Sequence, residues 1–389
     1  MSPAMRQILN VLIILCNSLL FSQTISEKSP YEYLFDEEQI LITKNWKDYL
    51  STMNSNSNGK CSFWMQNKFL KSDNCNLLSS QGFYNPSLFN LHFRNQILGI
   101  RKISKSEYEL SSIFYFTSEK NELNPFAITK VLVYKIDNNY LFSDYLLKST
   151  SNWETKNTEM INYHFPKNYE FNTDIAKEAN NYLKKMFNLF EIKLDKNIDY
   201  FISENCFDVF SNSGFDFVPT MTTQEKCAFY DTSNNIIYTT KFYREFHRHE
   251  LIHAINSKYL DANYYLLSGL SIYHDGENAL QQYTFKELFQ LLENHQLIDK
   301  NYRLSIKNSS NFDKNISTAY LTGALIIDAI IEKGGVKFLR KVLHEIKTEE
   351  DLITFIEQNL LRKNESIENW LQKRAKEVLK RNFKFKIEL

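Results

Sequence analysis

The 389-residue sequence is poor in the two residues that most often interrupt regular structure, with only nine Gly and six Pro. This scarcity excludes a collagen-like chain, and the hydrophobic fraction of 43%, with 15% aromatic residues, excludes a disordered one. Internal repeats and low-complexity tracts are also lacking. The composition is that of a folded globular protein, and the length is sufficient for two domains.

The chain also lacks a charge excess of either sign, because 46 Lys and Arg residues balance 46 Asp and Glu residues. No overall electrostatic field then favours nucleic acid, an anionic membrane or an acidic substrate. We therefore expect no nucleic-acid partner, and we expect binding at a local site.

Hydrophobic runs of the roughly 20 residues that a membrane-spanning helix needs are missing. The shorter run from Ile8 to Phe21 follows Arg6 and precedes the small residue Ser22. This order is typical of a secretory signal peptide. We predict cleavage of residues 1–22, export to the periplasm or the extracellular space, and no transmembrane helix. Cys16 lacks the small preceding residue of a lipid-anchor site, which argues against such an anchor.

Cysteine is scarce as well, and none of the five cysteines forms the C-x-x-C pair of a zinc or redox site. Removal of the signal peptide takes away Cys16 and leaves an even number of cysteines. An even number in an exported protein favours disulfides. Proximity in sequence favours pairing Cys61 with Cys75 and Cys206 with Cys227, while the other two pairings stay open.

The pattern of residues changes near position 168. Residues 23–168 predict an N-terminal α+β domain, in which one helix precedes segments rich in β-branched and aromatic residues. The tripeptide Asp137–Asn139 predicts a hairpin turn between the last two strands. His92 and His164 are isolated histidines in this part of the chain, and we interpret both as structural.

Residues 169–389 predict a mainly helical domain with a small β-sheet. An amphipathic helix begins after a capping signal at Asn172, the segment NIDYFIS predicts a strand, and CAFYDTSNNIIYTT predicts a hairpin that turns at Asn234 and Asn235. A helix is then expected from about Phe242 to Lys258, and most of the remaining chain is helical in pattern. The predicted fold class is α+β.

The helix expected at Phe242–Lys258 contains the sequence HELIH. Residues four apart share one helical face, so His249 and His253 can offer two imidazole nitrogens to one metal ion. Glu250 lies beside them, where a carboxylate can take a proton from an activated water. Zinc suits this pair of histidines. His247 is two positions from His249 and faces away on a helix, so we expect a surface or capping residue there.

Three segments resemble the gluzincin metallopeptidases, and especially the peptidase-MA-like proteins exported by bacteria. The segments are HELIH, YYLLSGLSIYHDG and YLTGALIIDAIIEKGGVKFLRKVL, and the resemblance covers about residues 175–345. It implies a thermolysin-like helical domain, a zinc cofactor held by His249 and His253, and Glu250 as general base and acid. It also implies that Tyr320, in the Y-x-x-G segment, steadies the oxyanion of the tetrahedral intermediate.

The sequence departs from the family at one position. The family carries a Glu as its third metal ligand in the segment that YYLLSGLSIYHDG resembles, and alignment on GLSIY puts Ser268 there. A serine hydroxyl is a poor zinc ligand because it stays protonated near neutral pH. Asp275, two helical turns later, is the leading substitute. His274, Glu277 and Asp261 are further candidates.

Two functions therefore stay open at the level of sequence. The first is an exported zinc metallopeptidase that hydrolyses peptide or protein substrates with Glu250 as the base. The second is an inactive gluzincin relative that binds a protein or a glycan, and Ser268 favours it. Asp328, on the apolar helix that follows Tyr320, is expected to be solvated or paired rather than a metal ligand.

Overall fold

A computed structural model of the chain describes residues 25–27, 31–51, 62–65, 67–69, 94–118, 122–219, 221–275, 290, 304–306 and 318–381. Several predictions fall outside these residues: the signal peptide at 1–22, the cysteines Cys61 and Cys75, the isolated His92 and the candidate ligand Glu277.

The first part of the chain forms a six-stranded sheet. Its strands are β1 (Ile25–Glu27), β2 (Arg94–Lys102), β3 (Glu107–Thr117), β4 (Leu123–Ile136), β5 (Asn139–Ser143) and β9 (Phe215–Phe217). β2 to β5 form an antiparallel meander, β1 lies parallel to β2, and β9 pairs with β4. Asp137 adopts a φ of 54° in the turn between β4 and β5, so the hairpin predicted there is confirmed.

The second sheet has five strands in the order β10-β11-β8-β7-β6. They are β6 (Glu154–Asn157), β7 (Ile161–Phe165), β8 (Ile198–Ser203), β10 (Phe229–Asp231) and β11 (Ile236–Thr240). The three central strands are parallel, and each edge strand is antiparallel to its neighbour. Every residue of β8 and β11 is buried, as expected for strands covered on both faces. The hairpin predicted with its turn at Asn234 and Asn235 is confirmed.

Helices make up most of the rest of the described chain. They are α1 (Glu37–Ser51), α2 (Leu146–Ser149), α3 (Thr173–Phe190), α4 (Cys206–Asn212), α5 (Arg248–Asn256), α6 (Tyr264–Asp275), α7 (Thr318–Glu345), α8 (Glu349–Asn359) and α9 (Ile367–Lys380). The predicted cap of α3 is confirmed, because the side chain of Asn172 accepts hydrogen bonds from the backbone N–H groups of Asp174 and Ile175. None of the helices in the described ranges is apolar and long enough to span a bilayer.

The second sheet separates two hydrophobic cores. Alternate residues of a strand point to opposite faces, so Tyr200 and Ile202 of β8 pack among helices α3 and α5 to α9, while Phe201 packs in the core of the first sheet. Trp46 of α1 belongs to that same core. The layers are therefore the first sheet, the second sheet, and helices α3 and α5 to α9.

The structure corrects the predicted fold of the second half of the chain. The fold is α+β, but the thermolysin-like helical domain predicted at 169–389 is not shown by the described residues. The strands instead form two large sheets, and both sheets combine strands from before and after position 168, through the pairs β7–β8 and β4–β9. The prediction is wrong because local patterns report single elements, whereas strand partners are chosen by long-range packing.

Candidate metal centre

Helix α5 carries the HELIH motif and is shorter than the sequence predicts. It runs only from Arg248 to Asn256, because residues 241–247 form turns and irregular backbone. Leu251 and Ile255 of α5 are fully buried in the core between the helices and the second sheet. Their burial fixes the rotation of α5 about its axis, and so fixes the directions in which His249 and His253 leave the helix.

The structure brings His249, Glu250 and His253 together. One ring nitrogen of each histidine and one carboxylate oxygen of Glu250 all lie within 4.8 Å of one another. The two imidazole rings have centroids 5.0 Å apart and are inclined at 75°. Zinc–nitrogen bonds of about 2.1 Å place two ligand nitrogens roughly 3–4 Å apart. The spacing of the two rings therefore suits a shared ion.

Lowered pKa values keep the two half-buried motif histidines in the neutral form that binds metals. Burial lowers the pKa of His253 to about 4. Burial, followed by the proximity of His253 and His247, holds the pKa of His249 well below its ordinary value. A neutral imidazole keeps a nitrogen lone pair available for a metal ion.

A buried nitrogen without a partner supports the fit to a metal ion. Nδ1 of His249 is buried and has no hydrogen-bond partner among the described residues. Buried polar atoms in folded proteins almost always have one, and a metal ion can take that place. Two imidazoles beside a carboxylate also match the donor preference of zinc. The donor set therefore fits zinc, and His249 and His253 are the residues that would hold it.

Sequence reasoning missed Asn256, which lies three residues after His253. Nδ2 of this buried side chain lies 3.3 Å from Nδ1 of His253. The same Nδ2 donates to the carbonyl oxygen of Leu267 at 2.9 Å and to Oγ of Ser271 at 3.1 Å. Asn256 thus contacts the ring of His253 and joins α5 to α6. The signal in the sequence was a polar residue at i+3 from a motif histidine.

Helix α6 carries the positions where the sequence places a third ligand. Ser268 is buried in the middle of this helix. Asp275 is its last residue, and the side chains of Asp275 and His274 lie outside the described part of the chain. Asp261 is exposed in the loop before α6. Among the described acidic, cysteine and histidine side chains, Glu250 alone completes a group of three with His249 and His253 at this spacing.

Tyr320 lies in the first turn of α7, a helix that packs closely against α6. A Cβ added to Gly269 would come within 2.2 Å of the carbonyl carbon of Gly323, and one added to Gly323 would come within 2.1 Å of the carbonyl oxygen of Tyr265. The glycines of the SG and Y-x-x-G segments therefore permit this close approach. Tyr320 itself is half-buried, with its ring centroid 6.4 Å from that of Tyr264.

His247 occupies the capping position that was one of its two expected roles, but it does not lie at the surface. His247 is the N-cap residue of α5, but its side chain forms no capping hydrogen bond and is only 6% exposed. Its ring stacks on Tyr243 with centroids 3.7 Å apart and lies 6.1 Å from the ring of His249. Burial, with a further contribution from His253, lowers the pKa of His247 to about 3. Helical spacing failed here because an N-cap residue lies outside the helix.

His164 and Asp328, both expected to be structural, have buried polar partners. The two ring nitrogens of His164 lie 3.1 Å from Oγ1 of Thr155 and 3.0 Å from Oδ1 of Asp199. Asp328 is buried and forms an ion pair with Arg374. Both ring nitrogens of His164 thus have partners, as those of a structural histidine would. Asp328 is paired, which was one of its two expected states.

Cys206 and Cys227 are both buried free thiols. A hydrogen bond between the two thiols lowers the pKa of Cys206 and raises the pKa of Cys227. The predicted disulfide is therefore not formed in this structure, although each thiol contacts the partner that proximity in sequence favours.

Comparison with known protein families gives no matching family model, and a search of curated proteins gives no match. The fold and the site together define an α+β protein in which a helix carries a His-Glu-His cluster suited to zinc.

Proposed function

We propose that the protein is an exported zinc-dependent hydrolase of peptide bonds, related to the gluzincins through its HExxH motif. The observation that carries this proposal is the convergence of His249, Glu250 and His253 within 4.8 Å. The signal-peptide pattern at residues 1–22 supports export. The substrate is proposed to be a peptide or a protein.

Each residue of the cluster has a distinct task in the proposed reaction. His249 and His253 would hold the ion, and the amide nitrogen of Asn256 lies 3.3 Å from Nδ1 of His253. Zinc, when bound, supplies Lewis-acid chemistry that polarises a carbonyl group and lowers the pKa of water. Glu250 takes a proton from the attacking water and returns it to the leaving amine. We propose that the hydroxyl of Tyr320 donates a hydrogen bond to the oxyanion.

A second candidate function is the binding of a protein or a glycan without catalysis. Ser268 favours this candidate, because it places a hydroxyl where the resemblance implies a carboxylate ligand. Catalytic zinc sites normally have three protein ligands, and two histidines alone hold zinc weakly.

Zinc titration of the metal-free protein, combined with a peptide-cleavage assay, tests the first proposal. We expect about one zinc ion per chain and loss of that ion in His249→Ala, because the substitution removes a ligand. Glu250→Gln should keep the ion and lower the cleavage rate by about 10²–10⁴-fold, because it removes the base. His344→Ala is the control, since His344 is an exposed histidine of α7.

The possible results separate the candidates. A wild-type chain that takes up no zinc, or a His249→Ala variant that binds zinc as tightly as the wild type, contradicts the hydrolase. Zinc binding without cleavage of a mixed peptide library supports the binding protein instead.

A further inference from the structure

Catalytic zinc sites normally combine three protein ligands with one open position, and three histidines are among the ligand sets that occur. The cluster described above supplies two histidines and a carboxylate that the proposed reaction uses as its base. We propose that His247 is the third protein ligand, so that the metal centre contains His247, His249 and His253. This inference rests on the proposed zinc-dependent function.

The backbone conformation allows His247 to join the other two histidines. His247 has φ −101° and ψ 94°, which is extended rather than helical. The helix begins only at Arg248, so His247 lies before the first helical residue and the direction of its side chain is not set by the helical rotation of 100° per residue.

The distances between the rings fit a shared ion after a small adjustment. The ring of His249 lies 5.0 Å from that of His253 and 6.1 Å from that of His247. Imidazoles bound to one ion through bonds of about 2.1 Å have ring centroids roughly 5–6.5 Å apart. His247 lies outside the group of ligand atoms within 4.8 Å. A rotation of its side chain toward the cluster must accompany metal binding.

The hydrogen bonds of the histidines also distinguish His247 from a core histidine. Its Nδ1 is buried and, like that of His249, has no hydrogen-bond partner among the described residues. His164, which is buried to a similar degree, has a partner on both ring nitrogens. One ion bound by His247 and His249 would give each of these imidazoles the partner that it lacks.

Stacking on Tyr243 holds the ring of His247 beside the cluster. The two rings are parallel to within 5°, with centroids 3.7 Å apart. The stack holds the imidazole in its present orientation, so the rotation that brings His247 to the ion must shift the ring relative to Tyr243.

Zinc affinity, measured by competition with a chelator, tests the assignment. We expect His247→Gln to weaken zinc binding by more than about 100-fold, because even the loss of a residue that only supports a ligand costs about 10–100-fold. His247→Cys, which supplies another ligand of zinc, should restore most of the affinity. Asp275→Asn and the control His344→Gln should bind zinc as the wild type does.

Replacement of zinc by Co²⁺ gives a second readout that does not depend on activity. The visible spectrum of the Co²⁺ form should change in His247→Gln and should change again in His247→Cys, because sulfur replaces nitrogen. Circular dichroism of the metal-free variants shows whether each one folds. If His247→Gln does not fold, the spectrum of His247→Cys still decides whether residue 247 contacts the metal.

Each contrary result has a distinct meaning. Unchanged zinc affinity in His247→Gln, or loss of affinity in Asp275→Asn alone, overturns the assignment of His247 and leaves the proposed hydrolase intact. A wild-type chain that binds neither Zn²⁺ nor Co²⁺ overturns the proposed function itself.

Discussion

The histidines of this protein differ in how their ring nitrogens are satisfied. His164 is buried with partners on both nitrogens, as a core histidine should be. His247 and His249 each bury an Nδ1 that has no partner among the described residues. Buried ring nitrogens that lack a hydrogen-bond partner indicate the candidate site more directly than the HELIH motif alone, because the motif does not include His247.

Asp231 is a buried acid whose protonation affects stability. It lies beside the turn between β10 and β11 and accepts hydrogen bonds from the backbone N–H groups of Ser233 and Asn234. Burial raises the pKa of Asp231 to about 6. The folded protein therefore prefers the protonated carboxyl, whereas the unfolded chain ionises near pH 3.9. The stabilisation is complete below about pH 4 and is lost as the pH rises through about 6.

We predict that Asp231→Asn becomes more stable relative to the wild type as the pH rises from 4 to 7.5. The asparagine does not ionise, and two pKa units correspond to about 3 kcal/mol in the free energy of unfolding. Urea unfolding of both proteins at the two pH values measures the difference. The exposed Asp195→Asn serves as the control. A difference that stays constant, or that moves in favour of the wild type, contradicts the prediction.

Helices α6 and α7 approach each other at Gly269 and Gly323, where neither position has room for a Cβ. We predict that Gly269→Ala lowers the free energy of unfolding by about 1–3 kcal/mol, because overpacking forces the helices apart. This loss must exceed the gain of about 1 kcal/mol that Ala brings to a helix. Thermal and urea unfolding measure the change.

Gly99→Ala is the matched control for the packing of α6 and α7. An added Cβ at Gly99, in β2, meets no heavy atom within 4 Å. Its stability should stay within about 0.5 kcal/mol of the wild type. Equal losses in Gly99→Ala and Gly269→Ala would show that close helix packing is not the cause.

The sequence predicts elements best where the pattern of burial is strong. Helix α3 was predicted from its cap and its apolar face, and both are present. Strands β6 and β7 were not predicted. All four residues of β6 are exposed, so this strand is held by backbone pairing and leaves no hydrophobic alternation to read.

The candidate site also contains residues that the sequence predicts and residues that it does not. His249 and His253 were predictable, because four-residue spacing on one helix is a local property. The role of Asn256 depends on the packing of α6 against α5, which no local pattern encodes. The burial of His247 depends on where α5 begins, and helix ends are less predictable than helix centres.

The last described helix is attached to the core by a buried ion pair. Arg374 of α9 is 8% exposed and contacts Asp328 of α7, which is 2% exposed. Arg381 pairs with the same carboxylate at 3.3 Å. Glu332 also contacts Arg374 and is more exposed. The charge of Arg374 is thus removed from water and is compensated by Asp328 and by the more exposed Glu332.

We predict that Asp328→Ala lowers the free energy of unfolding by about 3 kcal/mol, because it leaves the guanidinium of Arg374 buried with less compensating charge. The loss stays at the lower end of the range for broken buried pairs, since Glu332 keeps its contact. Removal of an exposed pair by Glu159→Ala should cost less than about 1 kcal/mol. Urea unfolding that gives equal losses for the two variants would contradict a special role for the buried pair.

The pairing of β7 with β8, across position 168, also limits how the protein can be divided. A fragment that ends there would leave β7 with an open edge, and β4 would lose its partner β9. Open edges of this kind recruit strands from other chains and promote aggregation. Each fragment would hold strands that complete a sheet of the other. The two fragments should therefore behave as a split protein, in which each half needs the other half to form its complete sheet.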